Sequence, residues 1–322
     1  MDKKTDNEMH EKETIALSGL SSASNSGMWA RLFTCMLAAI SAHLPAFLRW
    51  RLGGLIVRVS AMPYFTPNCV FKVRRGGCVW RLNPSDYICG HLFWYGDLDR
   101  CDFAIISGNV TKGDRILDIG SNFGYYSISL AKRLGGDCRI DAFEPFPETF
   151  AKLQANIQLN SLGCIHPHRI ALGDSECVMS MLPVGGNTGA AYLSDRIVDS
   201  GAISVNVNTL DQFVREQGIA RLDFVKIDVE GFEYAVLEGG KCTLATLHPP
   251  LMIEVCPENL VRQNKTVEML IAKLKECGYR SFYVASPNGV EPFGAQSFDG
   301  GWAYRNVFCF SEVRTWNLVV KA

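Results

Sequence analysis

The chain reads as an α/β protein on a mixed, seven-stranded sheet, and three observations point there. From residue 114 onward short apolar runs alternate with helix-period segments, the pattern of parallel βαβ units with helices on both faces. The first run passes through an acidic residue into a glycine-rich turn, DRILDIGSNFG at 114–124. The last two runs, SFYVA (281–285) and NVFCF (306–310), have no helix between them, so they pair as an antiparallel hairpin at the sheet edge and make the sheet mixed.

In chain order the pattern predicts a strand at 115–118, a helix at 123–134 and a strand at 139–144. A helix follows at 147–160 with Pro147 in its first turn, then a strand at 168–172. Residues 174–208 break the rhythm: LPVGGNTGAAYL is rich in small and turn-forming residues and reads as a loop or hairpin excursion of the kind that carries substrate specificity. The alternation resumes with helix 209–217, strand 222–228, helix 233–247, strand 250–256 and helix 265–277.

Ahead of this domain, residues 1–27 are rich in charge, Ser and Asn and are expected to lack order. Residues 28–48 carry Trp29, Leu32, Phe33, Met36, Leu37, Ile40, Leu44, Phe47 and Leu48 at helical spacing, interrupted by Arg31, Ser41, His43 and Pro45. That stripe describes a docked amphipathic helix in preference to a membrane span, while Arg49, Arg51 and Arg58 keep a membrane-surface contact through 28–58 as the lesser reading. Two apolar runs around RRGG at 69–83 form a β-hairpin, and Phe103, Ile106 and Val110 mark one more helix. The domain reading is a tail at 1–27, a helical and hairpin extension at 28–110, and the main domain at 111–322.

With 322 residues, 48% hydrophobic content and a formal charge of −1, the chain has material for one large core and no basic excess to attract nucleic acid. Its twelve cysteines are scattered without C-x-x-C, so metal-ligand spacing is missing and no metal is expected. Reduced thiols in a cytoplasmic protein are the simpler reading.

The chemistry centres on 114–124. Gly120 and Gly124 let the backbone approach a ligand closely, and Asn122 tolerates left-handed angles. About twenty residues on, RIDAFE ends in Glu144, where doubly wound folds place an acidic residue on a ribose diol. The order D-x-G-x-N-x-G, with Asp118 first, departs from the G-x-G-x-x-G of pyrophosphate cofactors. It suits S-adenosylmethionine, whose ammonium and ribose are what carboxylates recognise.

Taken together, LDIGSNFGYYS, FEPFPETF, IALGD and above all VKIDVEGFEYAVLEGG resemble the FkbM family of S-adenosylmethionine-dependent methyltransferases over roughly residues 90–310. The resemblance implies a Rossmann-like, seven-stranded fold of the class I methyltransferase type and methyl transfer to a hydroxyl of a small acceptor such as a sugar or polyketide. It also implies that Asp118, Gly120, Ser121, Asn122 and Gly124 line the methionine end of the cofactor. Glu144 with Pro145 would then hold the ribose, and Ala171, Leu172 and Gly173 would lie near the adenine. Gly96-Asp97-Leu98-Asp99 stands where members often carry G-x-Y-E.

Catalytic candidates fall at the carboxyl end of strand 222–228, where Lys226, Asp228 and Glu230 alternate along one strand face. Glu254 and His91 are the next bases in line, with His166, His168 and His248 reading as structural. Asp228 or Glu230 could instead serve the N-terminus of the helix near Glu233. A silent nucleoside-binding module and a nicotinamide oxidoreductase are the other two function classes open at this point.

Overall fold

The structure, a computed structural model, describes residues 15–16, 70–84, 86–184, 187–194, 202–287, 289–298 and 301–318. The expected helix at 28–48 and the basic cluster at 49–58 lie outside them, as does all of 1–27 except the two-residue strand β1 (Ile15–Ala16). The chain divides into two compact units, residues 1–99 with 158–161 and residues 100–157 with 162–322.

In the first unit the predicted hairpin forms from β2 (Phe71–Arg75) and β3 (Cys78–Leu82) around Gly76-Gly77, and β1 adds antiparallel to β2. Helix α1 (Tyr87–Tyr95) follows, opened by Asp86, whose side chain accepts from the Cys89 amide at 3.0 Å.

The second unit begins with α2 (Arg100–Asn109) and is built on an eight-stranded sheet. Its parallel part comprises β4 (Asp114–Ile119), β5 (Cys138–Phe143), β6 (Ile165–His168), β11 (Phe224–Ile227) and β12 (Leu251–Val255). These strands read as near-continuous apolar runs because both faces are covered. Ile116, Leu117, Ile119, Phe224, Val225 and Ile227 are all at most 1% exposed. Helices α3 (Tyr125–Arg133) and α4 (Pro147–Asn160) make the first two crossovers, and Pro147 opens the second where the sequence places it.

Several elements differ from the sequence reading. The run expected as one strand at 168–172 is two: β6 ends at His168, while β7 (Ala171–Gly173) belongs to a second sheet. β6 is the edge strand of the main sheet and carries Pro167, which has no amide to give a further neighbour. The 174–208 excursion is that second sheet, β7-β10-β8-β9, with β8 (Cys177–Val184), β9 (Asn187–Ser194) and β10 (Ile203–Thr209). Its inner residues Met181, Leu193, Val205 and Val207 pack with Phe146 and Phe232 into a small core of their own.

Helix α5 (Leu210–Glu216) starts at Thr209, whose hydroxyl accepts from the Gln212 amide at 3.1 Å. The helix expected at 233–247 breaks at Gly240 into α6 (Glu233–Gly239) and α7 (Lys241–Leu247), because α6 packs backbone to backbone on β7: a Cβ on Gly239 would lie 1.9 Å from the Gly173 carbonyl oxygen. A short helix, α8 (Pro257–Arg262), precedes α9 (Val267–Glu276).

The last strands do pair antiparallel, but not as an edge hairpin. β15 (Arg305–Ser311) inserts between β12 and β13 (Tyr279–Ser286), and an extra strand, β14 (Gly289–Pro292), takes the edge, raising the expected seven strands to eight. No helix among the described residues is long and apolar enough to cross a membrane.

Candidate cofactor and active site

The turn after β4 is held from three sides. The amides of Gly120 and Ser121 both donate to the Phe143 carbonyl at the end of β5, at 3.0 and 2.9 Å, and the Ser121 hydroxyl adds a third bond at 3.1 Å. Asn122 takes a left-handed φ of 50° and donates its amide to Glu144 Oε2 at 3.1 Å. The glycines answer to the protein before any ligand. A Cβ on Gly120 (φ 79°) would sit 1.7 Å from the Asp228 carbonyl oxygen, and one on Gly124 (φ 96°) would sit 2.7 Å from Leu153 Cδ1. Both glycines thus meet a demand of the protein itself: they let β4 and β11 end side by side and let α3 pack on α4.

Glu144 lies at the end of β5 with 6% exposure, its Oε1 accepting from the Phe146 amide at 2.9 Å and its Oε2 from Asn122. Burial pushes its carboxyl up to about 7 against those two bonds. Asp118 is 2% exposed; Oδ2 accepts from the Ser127 hydroxyl at 2.6 Å and its amide at 3.2 Å, while Oδ1 has no hydrogen bond and sees only Lys226 Nζ at 3.6 Å. Pro145 is half-buried, but Leu172 is 1% exposed inside the main core, so its side chain offers a ligand no surface.

Lys226 does not fit a proton-accepting role. It is 3% exposed, donates to the Gly120 carbonyl at 3.0 Å, pairs with Asp228 Oδ2 at 3.0 Å and lies 5.3 Å from the Tyr126 ring centroid. Burial alone would push its amine down, but the Asp228 and Asp118 carboxylates outweigh that and hold it protonated. It is a cation that ties the two strand ends together.

The expected alternation of Lys226, Asp228 and Glu230 on one strand face is also corrected, since β11 ends at Ile227 and both acids lie in the following turn. Asp228 keeps a 34% exposed side chain. Glu230 turns away at φ 55° and accepts from Asn259 Nδ2 at 2.9 Å. Neither acid caps α6. The N-terminus of α6 has no side-chain cap, and Glu233 holds the turn ahead of it instead, its Oε1 accepting from the Val229 and Gly231 amides, both at 3.1 Å.

Glu233 and Asn259 were missed in the sequence; the only signal was an acid in the first turn of a helix beside a glycine. Burial, then the Asp228 charge, drives Glu254 well above the ordinary range, and its Oε2 is buried without a hydrogen bond. His91 lies in the other unit, in α1, flanked by the rings of Tyr87 and Tyr95. Among the described residues no group of three His, Cys, Asp or Glu is placed to hold a metal ion.

The model of the "Methyltransferase FkbM domain" family matches residues 118–281, half of the chain, from the acid of the glycine turn to β13. The chain belongs to the FkbM methyltransferase family. Its relatives include "Methyltransferase 1" of Beauveria bassiana, 27% identical over 160 residues, 44% of this chain and 64% of that one. "Hexuronic acid methyltransferase AglP" of Haloferax volcanii is 29% identical over 128 residues, 40% of this chain and 50% of that one. "2-O-methyltransferase NoeI" of Sinorhizobium fredii is 30% identical over 147 residues, covering 40% and 58%. The matches thus span between half and two thirds of these relatives' own length.

The acid-rich turn of this FkbM domain makes its stability pH-dependent. Burial, more than any neighbour, lifts the Glu233 carboxyl from 4.5 to about 7. The folded state therefore holds a proton the unfolded chain has released, and stability falls as pH rises from about 5 through about 7. Glu233→Gln keeps an oxygen for the two turn amides but removes the titration. Its melting temperature should gain on that of the wild type between pH 5 and pH 8, by the equivalent of a few kcal/mol. Parallel melting curves across that range would show that Glu233 is ionised in the folded state.

Proposed function

We propose that the chain is an S-adenosylmethionine-dependent methyltransferase acting on a hydroxyl of a small, sugar-like acceptor, in the cytoplasm, with residues 111–322 as the catalytic domain. The observation that carries this reading is the pair of buried carboxyls at the ends of β4 and β5, one of them with an unsatisfied oxygen. Asp118 Oδ1 is the kind of acceptor an ammonium satisfies. Glu144 spends one lone pair of each oxygen on the turn and keeps the others for a diol. Ser121, Asn122 and Pro145 would border the same cofactor, with Gly120 and Gly124 shaping the turn and Leu172 supporting it from the core. Two relatives named for a hexuronic acid and for 2-O-methylation favour oxygen on a sugar as the acceptor, with a polyketide hydroxyl the other member of that class. Ten free thiols among the described residues suit a reducing compartment.

When bound, S-adenosylmethionine supplies an electrophilic methyl group on a sulfonium. The protein's part is alignment and exclusion of water. Asp228, half-buried in the turn after β11 and fixed by Lys226, accepts the hydrogen bond of the acceptor hydroxyl and receives its proton. Glu230 stands beside it as the second carboxyl, raised to about 7 by burial and by the Asp228 charge.

The test is Asp228→Asn with calorimetry and steady-state kinetics together. Cofactor affinity should be unchanged while kcat drops by roughly 10²–10⁴. A raised KM for S-adenosylmethionine at unchanged kcat would move Asp228 to the cofactor's ammonium. No binding of S-adenosylmethionine to the wild type would end the whole reading.

A further inference from the structure

Two thiols meet at the end of the main sheet opposite the cofactor turn. Cys138 opens β5 beside Asp114, the first residue of β4, and Cys164 directly precedes β6. Their Sγ atoms lie 3.8 Å apart. The backbone around them is fixed, because the Ile140 amide donates to the Cys164 carbonyl at 2.9 Å and the Ile165 amide closes the preceding turn on the Leu162 carbonyl at 3.3 Å. Both are half-buried free thiols, whereas Cys78, Cys89, Cys277 and Cys309 are buried.

The strand ladder brings the two α-carbons into bonding range. β5 and β6 are parallel with Ile140 opposite Ile165, so one step back Arg139 faces Cys164 and Cys138 is its diagonal neighbour. A strand spacing of about 4.8 Å and a rise of about 3.3 Å give a diagonal of roughly 6 Å. Disulfides span roughly 4.4–6.8 Å between α-carbons. Cys164 lies in the turn ahead of β6, so its side chain does not follow the strand's alternation of faces, and the two sulfurs meet. Closing 3.8 Å to a bond of about 2 Å is within the reach of side-chain rotation.

The environment also sets the order of events. Burial, then the charge of Cys164, pushes the Cys138 thiol up to about 12, with Asp137 and Asp114 adding to it. Cys138 is therefore a thiol at neutral pH and does not open the reaction, since the thiolate is the nucleophile. Cys164 attacks first and Cys138 resolves. Once the Cys164 sulfur is bonded it carries no charge to oppose ionisation of its neighbour, and the second attack gains from the two sulfurs being held together.

We propose that Cys138 and Cys164 are a modification site, at which a small-molecule disulfide such as glutathione disulfide oxidises the pair to an internal disulfide that staples β5 to β6. The Cys164 thiolate attacks one sulfur of glutathione disulfide and releases a first glutathione. Cys138 then gives up its proton and attacks the Cys164 sulfur, releasing the second. Two protein thiols lose two electrons and two protons, and glutathione disulfide gains both to become two thiols. The new bond joins residues 26 apart and closes the crossover that holds α4, which restricts the unfolded chain. Glu144 lies at the other end of β5, roughly 20 Å along the strand, so the staple leaves the cofactor turn untouched.

The test takes the full chain, reduced and then incubated with glutathione disulfide, digests it without reducing agent and maps the peptides by mass spectrometry. A cross-linked peptide joining Cys138 to Cys164 is expected, forming faster at about pH 8.5 than at about pH 7 because Cys138 must ionise. The oxidised protein should melt roughly 5–10 °C above the reduced one. Dithiothreitol should reverse that gain, and Cys138→Ser or Cys164→Ser should abolish it. A map without the cross-linked peptide, glutathione retained on either cysteine as a stable mixed disulfide, or a gain in melting temperature that survives both serine variants would each overturn the proposal. The map reads the wild-type protein, so it decides the question even where a serine variant folds poorly.

Discussion

Lys226→Met is expected to lower the free energy of unfolding by about 3–5 kcal/mol, read as the shift of a urea titration midpoint. Methionine keeps most of the length and the apolar stem, so the loss isolates the charge. Lys226 and Asp118 have side chains 4% and 3% exposed, and without the ammonium the Asp118 carboxylate is left as a buried anion with one oxygen wholly unsatisfied. Asp228 suffers less, because its 34% exposed side chain can take up water. The double variant Lys226→Met/Asp118→Asn should recover a large part of the loss, since the second change removes the stranded charge. A wild-type urea midpoint for Lys226→Met alone would mean that desolvation of the ion network cancels its attraction.

Gly120→Ala should damage the fold and the site together, by about 2–5 kcal/mol and with loss of S-adenosylmethionine binding. The left-handed φ of 79° costs an alanine about 1–2 kcal/mol. Overpacking adds roughly 1–3 kcal/mol, since the new methyl would meet the Asp228 carbonyl oxygen at 1.7 Å and no rotamer relieves a clash between backbone atoms. Gly113→Ala is the control: at φ 82° with nothing within 4 Å of its Cβ, it bears the first cost without the second. If the two variants are equally stable in denaturant and bind the cofactor alike, the close approach of β4 to the β11 turn is not a constraint.

Sequence spacing was enough for the parallel half of the sheet, since strands covered on both faces have to be short apolar runs and the helices between them have to show one apolar stripe. It reached Asp118, Asn122 and Glu144 for a related reason: a left-handed turn beside a strand end leaves a mark in residue type. Roles were harder. Lys226 looks like a catalytic base in one dimension, and only the arrival of Asp118 from β4 and Asp228 from its own turn makes it a permanently charged brace. Glu230 and Glu233 share a residue type three positions apart, yet one is released toward Asn259 and the other is consumed by two backbone amides. The second sheet was hidden because β7 is three residues long and its partner β10 comes some thirty residues later, too far for periodicity to link them.

The position of β15 has a consequence for synthesis. Of the described strands it is the last made, and it supplies both ladders that join β12 to β13. Until residues 305–311 leave the ribosome, β12 presents an open edge whose Leu251, Met252, Ile253 and Val255 are buried in the finished protein. The β13–β14 hairpin, already complete, has no place on the sheet. Chains fold from the N-terminus as they emerge, and pairings between distant segments form slowly. The nascent chain therefore carries an apolar strand edge from the time Val255 is made until residues 305–311 follow, the state in which strands recruit neighbouring molecules. Shielding of that edge by a chaperone over this interval would raise the yield of folded protein.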